Sequence, residues 1–392
     1  MESKKSSLNS NIYISKENKY FKYLKILFIV IIISFIFTDI IINIGILKNK
    51  KIENMFLNLK NDLYVLNLKM KSFMKTDDFN EIKNEEYLKK QNYFCENQNK
   101  YYNQEYEKKI KLEKVNFNNI IFNMFIYRNN DVVSNFLSTT KVWEQNETDN
   151  IIKALAYFSR KKALTEKDIY IIDVGGNVGW YSFLLGRYGY KIITFEPSQI
   201  NFYILSKNYC LNKGLNITLI NKGLFPEEKK CFIHSPKDNI GNGLISCNKK
   251  PDEKNVNNGG IILTKLSNYI PFFMNKNLAL IKIDIEGSEG KAIESGIELL
   301  TEYHVPFIFM EFTPKALMSY GTDPKKFLEI FIINGYKINI LNFFEAKTYD
   351  IEYLIKEIRN LYIVYKKILQ NFFLKGSAFR INEKKSKNKN LK

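Results

Sequence analysis

Three glycines follow a run of apolar residues in the segment Ile171-Ile-Asp-Val-Gly-Gly-Asn-Val-Gly-Trp-Tyr-Ser182, at positions 175, 176 and 179. Glycine lets a chain turn tightly and lets the backbone approach a ligand closely. A dinucleotide site favours the spacing G-x-G-x-x-G, with a helix N-terminus facing the pyrophosphate. Here the spacing differs, and the carboxylate of Asp173 would repel a pyrophosphate but attract the ammonium and sulfonium groups of S-adenosylmethionine. The segment therefore favours a methyl donor, with candidate cofactor-binding residues Asp173, Gly175, Gly176 and Gly179.

Glu196 ends the next apolar run, in the sequence KIITFEPS, 21 residues after Gly175. An acidic side chain at this place can accept hydrogen bonds from both hydroxyls of a cofactor ribose. Taken alone, Glu196 could equally be a surface residue before the turn-forming Pro197. Its spacing from the glycine turn favours the cofactor-binding interpretation.

A third polar group follows another apolar run, in Leu280-Ile-Lys-Ile-Asp-Ile-Glu-Gly-Ser-Glu289. The predicted strand brings Asp284 and Glu286 to its carboxyl end, where ligands gather in open α/β sheets. Two residues apart in a regular strand, they would share one face. Such a pair could orient the cofactor amine, deprotonate an acceptor or hold a divalent ion, or it could be solvated without a function. His234, one of two histidines, is a further candidate base.

These candidates lie at the ends of short apolar runs that alternate with amphipathic stretches. Continuous apolar runs separated by helices indicate a sheet that is buried on both faces. The alternation predicts an α/β domain over residues 110–374, with a Rossmann-like, doubly wound sheet. The predicted strands are 168–174, 191–195, 217–221, 278–284, 306–312, 336–341 and 361–366.

A stretch of 22 residues without Lys or Arg, residues 26–47, follows a basic N-terminal tail, residues 1–25. At about 1.5 Å per residue, a helix of this length crosses a hydrocarbon core of ~30 Å. The stretch predicts a single transmembrane helix, with a cleaved signal peptide and a buried helix as alternatives. Six lysines precede it and four follow it closely. This difference favours a cytosolic N-terminus, which would place the rest of the chain in an ER-like or Golgi-like lumen.

Residues 48–109 form the predicted stem between the transmembrane helix and the α/β domain. Its first part, residues 52–73, has apolar residues at 4-3 spacing, which is typical of a coiled coil. A parallel dimer and a single helix lying on the membrane or the domain are the two interpretations. Residues 77–109 are charged and polar without core periodicity and are predicted to be a tether. Residues 375–392 are predicted to be a basic, disordered tail.

The net charge of +18 comes from 59 basic and 41 acidic residues, and only five of the basic residues are Arg. Nucleic-acid sites prefer Arg, so this charge predicts a solvated lysine surface that does not bind nucleic acid. The four cysteines form no CxxC pair, and no four ligands show the spacing of a zinc site, so none is predicted. Cys231 and Cys247 flank a predicted hairpin; they could pair in an oxidising lumen or remain free thiols.

Taken together, these segments resemble the FkbM-type methyltransferases, a family of Rossmann-like S-adenosylmethionine-dependent enzymes. The resemblance rests on IIDVGGNVGWYS, on ITFEPS with the later NYCLN, and on LIKIDIEGSEGKAIESGIELL. VPFIFMEFTP, the GNG at 241–243 and the pair Trp143-Glu144 also fit the family. The resemblance covers residues ~115–370, about two thirds of the chain. Ser267 departs from the pattern, because the family usually has Asp there.

The resemblance implies transfer of a methyl group to a hydroxyl oxygen, commonly that of a sugar or a small metabolite. It adds Asn177 to the cofactor turn, places Glu196 on the ribose, and places Asp284 and Glu286 at the reaction end. Asp284 is then both a cofactor-binding and a catalytic candidate, and Glu311 could line the acceptor pocket. The proton of the acceptor could go to Asp284, Glu286 or His234.

The sequence therefore predicts a membrane-anchored O-methyltransferase that uses S-adenosylmethionine, with a divalent metal not indicated. Its expected partners are a hydroxyl-bearing acceptor, the membrane and a second copy through the stem. A degenerate methyltransferase fold that serves as a scaffold is the main alternative, but a retired site has no reason to keep charges that are costly to bury. A nucleotide-dependent oxidoreductase is disfavoured by the glycine spacing.

Overall fold

The computed structural model describes residues 77–247, 255–273, 276–357 and 359–369. The chain divides into two compact units, Met1–Phe79 and Asn80–Lys392. The predicted tail 1–25, transmembrane helix 26–47, coiled coil 52–73 and tail 375–392 lie outside the described residues. Within the residues that are described, no helix is both long enough and apolar enough to span a bilayer.

Thirteen strands lie in the described part of the second unit. In chain order they are β1 Ile110–Phe117, β2 Ile120–Tyr127, β3 Ile169–Val174, β4 Lys191–Phe195, β5 Ile217–Ile220, β6 Gly223–Leu224, β7 Lys229–Ser235, β8 Leu244–Ser246, β9 Val256–Thr264, β10 Asn277–Ile283, β11 Phe307–Phe312, β12 Tyr336–Asn339 and β13 Arg359–Tyr365. The seven predicted strands correspond to β3, β4, β5, β10, β11, β12 and β13, and their ends agree within two residues.

Twelve α-helices connect or cover these strands in the described ranges. They are α1 Asp77–Glu96, α2 Gln104–Lys109, α3 Val132–Thr139, α4 Gln145–Lys162, α5 Trp180–Arg187, α6 Gln199–Leu211, α7 Ile270–Phe273, α8 Glu289–Glu294, α9 Glu298–Thr301, α10 Pro314–Ser319, α11 Pro324–Ile333 and α12 Ile351–Leu354. Short 3₁₀ turns occur at Gln98–Tyr101, Glu166–Asp168, Leu266–Asn268 and Lys366–Leu369.

The central sheet has seven strands in the order β12-β13-β11-β10-β3-β4-β5. All neighbours are parallel except β13, which runs antiparallel to both β11 and β12. From β3 the chain moves outward to β4 and β5 and then returns to the other side of β3 with β10. This reversal between β3 and β10 is the switch point at which open α/β sheets bind ligands. The α/β prediction is confirmed, and the sheet is mixed.

Both faces of this sheet are buried, as the continuous apolar runs predicted. Ile169 and Ile171 of β3 belong to one core cluster, and Ile172 and Val174 of the same strand belong to the other. Side chains alternate between the faces of a strand, so each face of β3 contributes to a separate core. The central strands are therefore held rigidly, and the turns that follow them have defined positions.

Two smaller sheets, which the apolar runs did not predict, stand beside the central one. Strands β1 and β2 form an antiparallel hairpin. The second small sheet has the order β6-β9-β7-β8 and lies between β5 and β10 in the sequence. Its β7–β8 hairpin is the one predicted around Cys231 and Cys247, which form a disulfide. A second disulfide joins Cys95 and Cys210.

Residues 77–109 differ from the predicted tether. They contain helices α1 and α2, and Cys95 of α1 is bonded to Cys210 of α6. Gln91 of α1 is buried, donating to the carbonyl of Ile217 at 3.0 Å and accepting from the amide of Leu219 at 2.8 Å. The contacts of α1 with the domain come from single residues, namely Gln91, Cys95 and the rings of Tyr87 and Phe94, and these do not form an apolar periodicity. A count of apolar residues does not detect such anchors.

Candidate active site

The glycine turn after β3 brings the ends of three strands together. The amides of Gly175 and Gly176 both donate to the carbonyl of Phe195, at the end of β4. Gly175 has a φ of 81°, and a Cβ there would lie 2.0 Å from the carbonyl oxygen of Asp284. A side chain at Gly176 would likewise collide with Thr194 of β4. The glycines are therefore required for the close approach of the ends of β3, β4 and β10.

Glu196 is 4% exposed and lies directly against this turn. Its Oε2 accepts from the amide of Asn177 at 2.9 Å, and its Oε1 accepts from the amide of Ser198 at 2.8 Å. Burial raises the pKa of Glu196 to about 7, although these two hydrogen bonds oppose the shift. Asn177 has a φ of 48°, and its buried Oδ1 has no hydrogen-bond partner within the described part of the chain. The turn thus holds an acidic side chain in place and leaves one amide oxygen free to accept.

Asp173 supports the turn from beneath. Its Oδ2 accepts from the hydroxyl of Ser182 at 2.5 Å, and its Oδ1 lies 3.6 Å from Nζ of Lys282. Both Asp173 and Lys282 are almost fully buried. Among the described residues that line the cavity at this edge of the sheet, Lys282 is present and Asp173 is not. Asp173 can therefore influence a ligand through the residues that it contacts. This differs from the prediction, in which Asp173 contacts the cofactor directly.

Lys282 connects the candidate groups of β3 and β10. Its Nζ donates to the carbonyl of Gly175 at 3.0 Å and lies 3.5 Å from Oδ2 of Asp284. Burial lowers the pKa of this lysine, but the carboxylates of Asp284, Asp173 and Glu144 outweigh burial and raise it. Lys282 was not among the predicted site residues, although a lysine inside the apolar run LALIKID was a signal. A buried charge needs a partner, and here it has two carboxylates.

Asp284 and Glu286 do not share one face of a strand, because β10 ends at Ile283. Both residues lie in the turn that follows, where Glu286 has a φ of 59° and Gly287 a φ of 102°. The turn nevertheless directs both acidic residues to the cavity, which both of them line. The two acidic residues do lie near each other. The left-handed turn after β10 brings them together, whereas the prediction relied on the alternation of side chains along a strand.

Four acidic residues surround the part of the cavity over β10 and β11: Glu144, Asp284, Glu286 and Glu311. One carboxylate oxygen each from Asp284, Glu286 and Glu311 lies within 4.8 Å of the other two. Burial, with Asp284 as the next cause, raises the pKa of Glu144, of Glu286 and of Glu311 to about 7. At neutral pH these groups therefore exchange protons easily, which suits acid–base chemistry.

Besides Asp173, two more predicted residues, Gly179 and His234, are not part of the cavity lining in the described structure. Gly179 has a φ of 98° and precedes α5, where a Cβ would collide with Phe183 and Leu205. Its role is close packing of the helix. His234 lies on β7, in which Cys231, Ile233 and Ser235 are buried and His234 is on the alternate, half-buried face. Ile233 lines the cavity, so strand alternation turns His234 away from the acidic groups.

The cavity has a volume of about 400 Å³ and lies at the carboxyl ends of the central strands. Two features named in the family resemblance also line it, the pair Trp143 and Glu144 before α4 and Asn242 of the GNG loop. Arg359 and Asn360 of β13 line it as well and belong to no predicted motif. Arg359 and Asn360 come from the antiparallel strand, which lies beside β11 only in the folded sheet. Sequence spacing could not assign them, because their separation from the other groups along the chain is large and irregular.

The fold and the cavity define a Rossmann-like α/β protein with a ligand site at its switch point. Residues 173–338 match the family model described as Methyltransferase FkbM domain. This part of the chain is an FkbM-type methyltransferase domain, and the predicted family is confirmed. Glu144, Arg359 and Asn360 lie outside the matched residues. A comparison with curated proteins finds no match.

Solved structures with similar folds include methyltransferases. The structure of monomeric WbdD is 12% identical, covers 59% of this chain and 43% of that chain, and has a TM-score of 0.35. This chain thus spans less than half the length of WbdD. Magnesium protoporphyrin IX methyltransferase from Synechocystis PCC 6803 with bound SAM is 11% identical, with coverages of 56% and 79% and a TM-score of 0.30. The human methyltransferase 10 domain containing protein is 12% identical, with coverages of 57% and 83% and a TM-score of 0.30.

Proposed function

We propose that this chain is an S-adenosylmethionine-dependent O-methyltransferase. The observation that carries the proposal is the charge of the cavity beside the glycine turn. Its lining includes five carboxylates and three cations: Glu144, Glu196, Asp284, Glu286, Glu311, Lys222, Lys282 and Arg359. S-adenosylmethionine carries an ammonium, a sulfonium and one carboxylate, so its net charge is complementary to this lining. The two cationic groups of the cofactor would favour the charged forms of these carboxylates, whose pKa values are raised to about 7 in four cases, whereas a pyrophosphate would oppose their ionisation.

The described residues fit such a cofactor in three places. Glu196 is held by two amides and can accept from ribose hydroxyls, and Asn177 offers a buried, unpartnered Oδ1. Asp284, whose carboxylate faces Lys282, can accept from the ammonium group. When bound, the cofactor would supply a methyl group that its positive sulfur has already activated. The protein then has to align the acceptor and remove its proton.

The strand order indicates which side of the cavity could hold the methyl acceptor. Glu196 and the glycine turn stand at β4 and β3, whereas Glu311, Arg359 and Asn360 stand at β11 and β13, on the other side of β10. Carboxylates and amides accept and donate hydrogen bonds to hydroxyl groups. This lining supports a hydroxyl-bearing acceptor, such as a sugar or a small polar metabolite.

The cofactor is tested by isothermal titration of the full-length protein with S-adenosylmethionine and, as the control ligand, with NAD. We expect saturable binding of S-adenosylmethionine and none of NAD. Binding of NAD alone would overturn the proposal in favour of an oxidoreductase. Incubation with methyl-labelled S-adenosylmethionine and fractionated lysate then identifies the acceptor fraction. Cofactor binding without label transfer to any fraction would favour the scaffold alternative.

We propose further that residues 26–47 anchor the chain with its catalytic domain in an ER-like or Golgi-like lumen. The disulfides Cys95–Cys210 and Cys231–Cys247 support an oxidising compartment, because disulfides form and persist there. Carbonate extraction should leave the protein in the membrane pellet, and release into the supernatant would contradict the anchor. The sequence has two N-x-Thr glycosylation sequons, Asn146-Glu-Thr148 and Asn216-Ile-Thr218. A mobility shift after glycosidase treatment would support a lumenal position of the domain.

The predicted homodimer through residues 52–73 also remains a proposal. It rests on the 4-3 spacing of apolar residues in that segment. Chemical cross-linking of the full-length protein in membranes should give a dimer band. Substitution of Leu59 and Leu66 by Asp, both at seam positions, should remove the band if the coiled coil forms it.

A further inference from the structure

We propose that Glu144, which lies outside the matched methyltransferase segment, is the catalytic residue that takes the proton from the acceptor hydroxyl. This inference rests on the proposed O-methyltransferase function. Glu144 lines the cavity together with its neighbour Trp143. It precedes α4, a helix that otherwise covers the sheet with apolar residues such as Ile151 and Leu155. Its position is set by two features, the backbone at residue 144 and the hydroxyl of Tyr181.

The backbone of Glu144 is in the left-handed region, with φ 45° and ψ 59°. A residue other than glycine pays about 1–3 kcal/mol for such a conformation, and it persists only where the surroundings hold it. Glu144 occupies the N-cap position of α4, but its side chain makes no capping hydrogen bond. Ser, Thr, Asp or Asn would serve better there if capping were the role of the residue. The side chain is instead directed to the cavity.

Tyr181 orients this carboxylate. Its hydroxyl donates to Oε2 of Glu144 at 2.6 Å. Tyr181 belongs to α5, the helix that follows the glycine turn, so the carboxylate is tied to the element that bears the proposed cofactor site. Burial and the charge of Glu144 raise the pKa of Tyr181 far above its usual value, so the phenol stays protonated and remains a donor. This bond engages Oε2 and leaves Oε1 as the oxygen to receive a proton.

The charged and titratable groups around Glu144 come from several elements. Asp284 and Lys282 stand on the β10 side, Tyr181 on α5, Glu147 on α4, Glu311 on β11 and Tyr362 on β13. Burial raises the pKa of Glu144 to about 7, and the charges of Asp284 and Glu147 add to this, while Tyr181 and Lys282 oppose it. A base with a pKa near the operating pH is both ionised and basic enough to accept a proton.

Three of the other carboxylates are less suited to this step, and among the described residues Glu311 has no hydrogen bond that would orient its carboxylate. Asp284 lies 3.5 Å from the ammonium of Lys282, so its carboxylate already has a cationic partner. Glu286 accepts a hydrogen bond from the side chain of Asn242. Glu196 is held by two backbone amides on the β4 side, away from β11 and β13. Glu144 combines an orienting donor, a raised pKa and a place in the cavity lining.

The proposed step balances as follows. A lone pair of the acceptor oxygen forms a bond to the methyl carbon, and the bond between that carbon and sulfur breaks with its electron pair going to sulfur. The proton of the acceptor hydroxyl goes to Oε1 of Glu144, which becomes a neutral carboxylic acid. The products are a methyl ether and a neutral thioether, and Glu144 returns its proton to water afterwards.

The test uses the full-length protein and three variants: Glu144→Gln, Tyr181→Phe and, as a matched control one turn further along α4, Glu147→Gln. With the acceptor fraction found by label transfer and with saturating S-adenosylmethionine, Glu144→Gln should be ~10²–10⁴-fold slower than the wild type. Its affinity for S-adenosylmethionine should stay within about twofold. Tyr181→Phe should shift the acidic limb of the pH–rate profile to higher pH, because the carboxylate loses a donor. Glu147→Gln should keep the wild-type rate and move the profile only slightly to lower pH, because the charge of Glu147 is the smallest of the influences on the pKa of Glu144.

A second measurement needs no acceptor. In protein labelled with [5-¹³C]glutamate, the carboxyl resonance that is missing from Glu144→Gln should titrate near pH 7 and shift upward in Tyr181→Phe. A rate in Glu144→Gln within threefold of Glu147→Gln, or a resonance that titrates near pH 4.5, would overturn the role of Glu144 as base. Weak cofactor binding with a normal saturated rate would assign it to the cofactor site. Failure of the wild type to bind S-adenosylmethionine would refute the proposed function itself.

Discussion

The ammonium nitrogen of Lys282 lies 3.6 Å from Oδ1 of Asp173, and both side chains are almost completely buried beneath the glycine turn. The same nitrogen donates to the carbonyl of Gly175 and faces Asp284. One lysine therefore links the end of β3, the turn and the end of β10. Burying a charged lysine costs free energy. Here the buried charge lies where the two strand ends and the glycine turn must keep a fixed geometry beside the cavity.

Replacing Lys282 by Met should destabilise the protein by about 3–5 kcal/mol, because Asp173 is left buried without its partner. Thermal denaturation followed by circular dichroism measures the loss. The double variant Lys282→Met, Asp173→Asn should recover part of it, since the unpaired charge is gone. The exposed Lys315→Met is the control and should melt as the wild type does. An unchanged melting temperature in Lys282→Met would mean that the ion pair contributes nothing to stability.

Glu196→Gln should weaken binding of S-adenosylmethionine roughly 10- to 100-fold, the loss expected for a charged hydrogen-bond acceptor. Titration calorimetry measures the dissociation constant. Asp173→Asn is the informative comparison, because Asp173 does not line the cavity and should mainly lower the melting temperature. A larger loss of affinity in Asp173→Asn than in Glu196→Gln would mean that Asp173, and not Glu196, is the main cofactor ligand of the two.

The protein without ligand should lose stability as the pH rises from about 4.5 to about 7. Burial raises the pKa to about 7 for five glutamates: Glu144, Glu196, Glu286, Glu289 and Glu311. In this window the folded state binds more protons than the unfolded state, so the free energy of unfolding decreases with pH. The lowered pKa values of Glu107 and Glu113 act below this window. The lowered pKa of His234 opposes the decrease within the window, as one group against five.

Urea unfolding at pH 5.5 and pH 8 measures this dependence. Glu289→Gln is the useful variant, because Oε1 of Glu289 accepts from the amides of Ile285 and Gly287 and an amide oxygen can do the same. The variant should fold and show a smaller difference between the two pH values. Greater stability at pH 8 than at pH 5.5 in the wild type would contradict the raised pKa values.

Asp284→Asn should bind S-adenosylmethionine more weakly and turn over at nearly the wild-type rate when saturated, because Glu144 serves as base and Asp284 holds the ammonium. Titration calorimetry and the saturated rate separate the two effects. A chelator should leave the wild-type activity unchanged. Loss of activity with chelator, restored by added Mg²⁺ or Mn²⁺, would instead assign Asp284, Glu286 and Glu311 to a metal ion.

The sequence predicted the central sheet well, because its strands are short, continuous apolar runs. Such runs indicate strands that are buried on both faces. The strand Lys191–Phe195 agrees residue for residue with the prediction. Helix α1 was missed for the opposite reason, since Gln91 and Cys95 anchor it with single contacts that produce no periodic pattern. The four-stranded small sheet was missed in part because two of its strands, β6 and β8, have only two or three residues.

By itself the sequence determined the family, the glycine turn and the acidic residues that follow β4 and β10, because these groups lie within a few residues of the strands that place them. Only the tertiary structure decided which side chains reach the cavity. It placed Asp173 beneath the turn, turned His234 away, and brought Glu144 and Arg359 in from segments far along the chain. The physical reason is that strand order and packing set the distances between segments, and for segments far apart along the chain the spacing does not determine either.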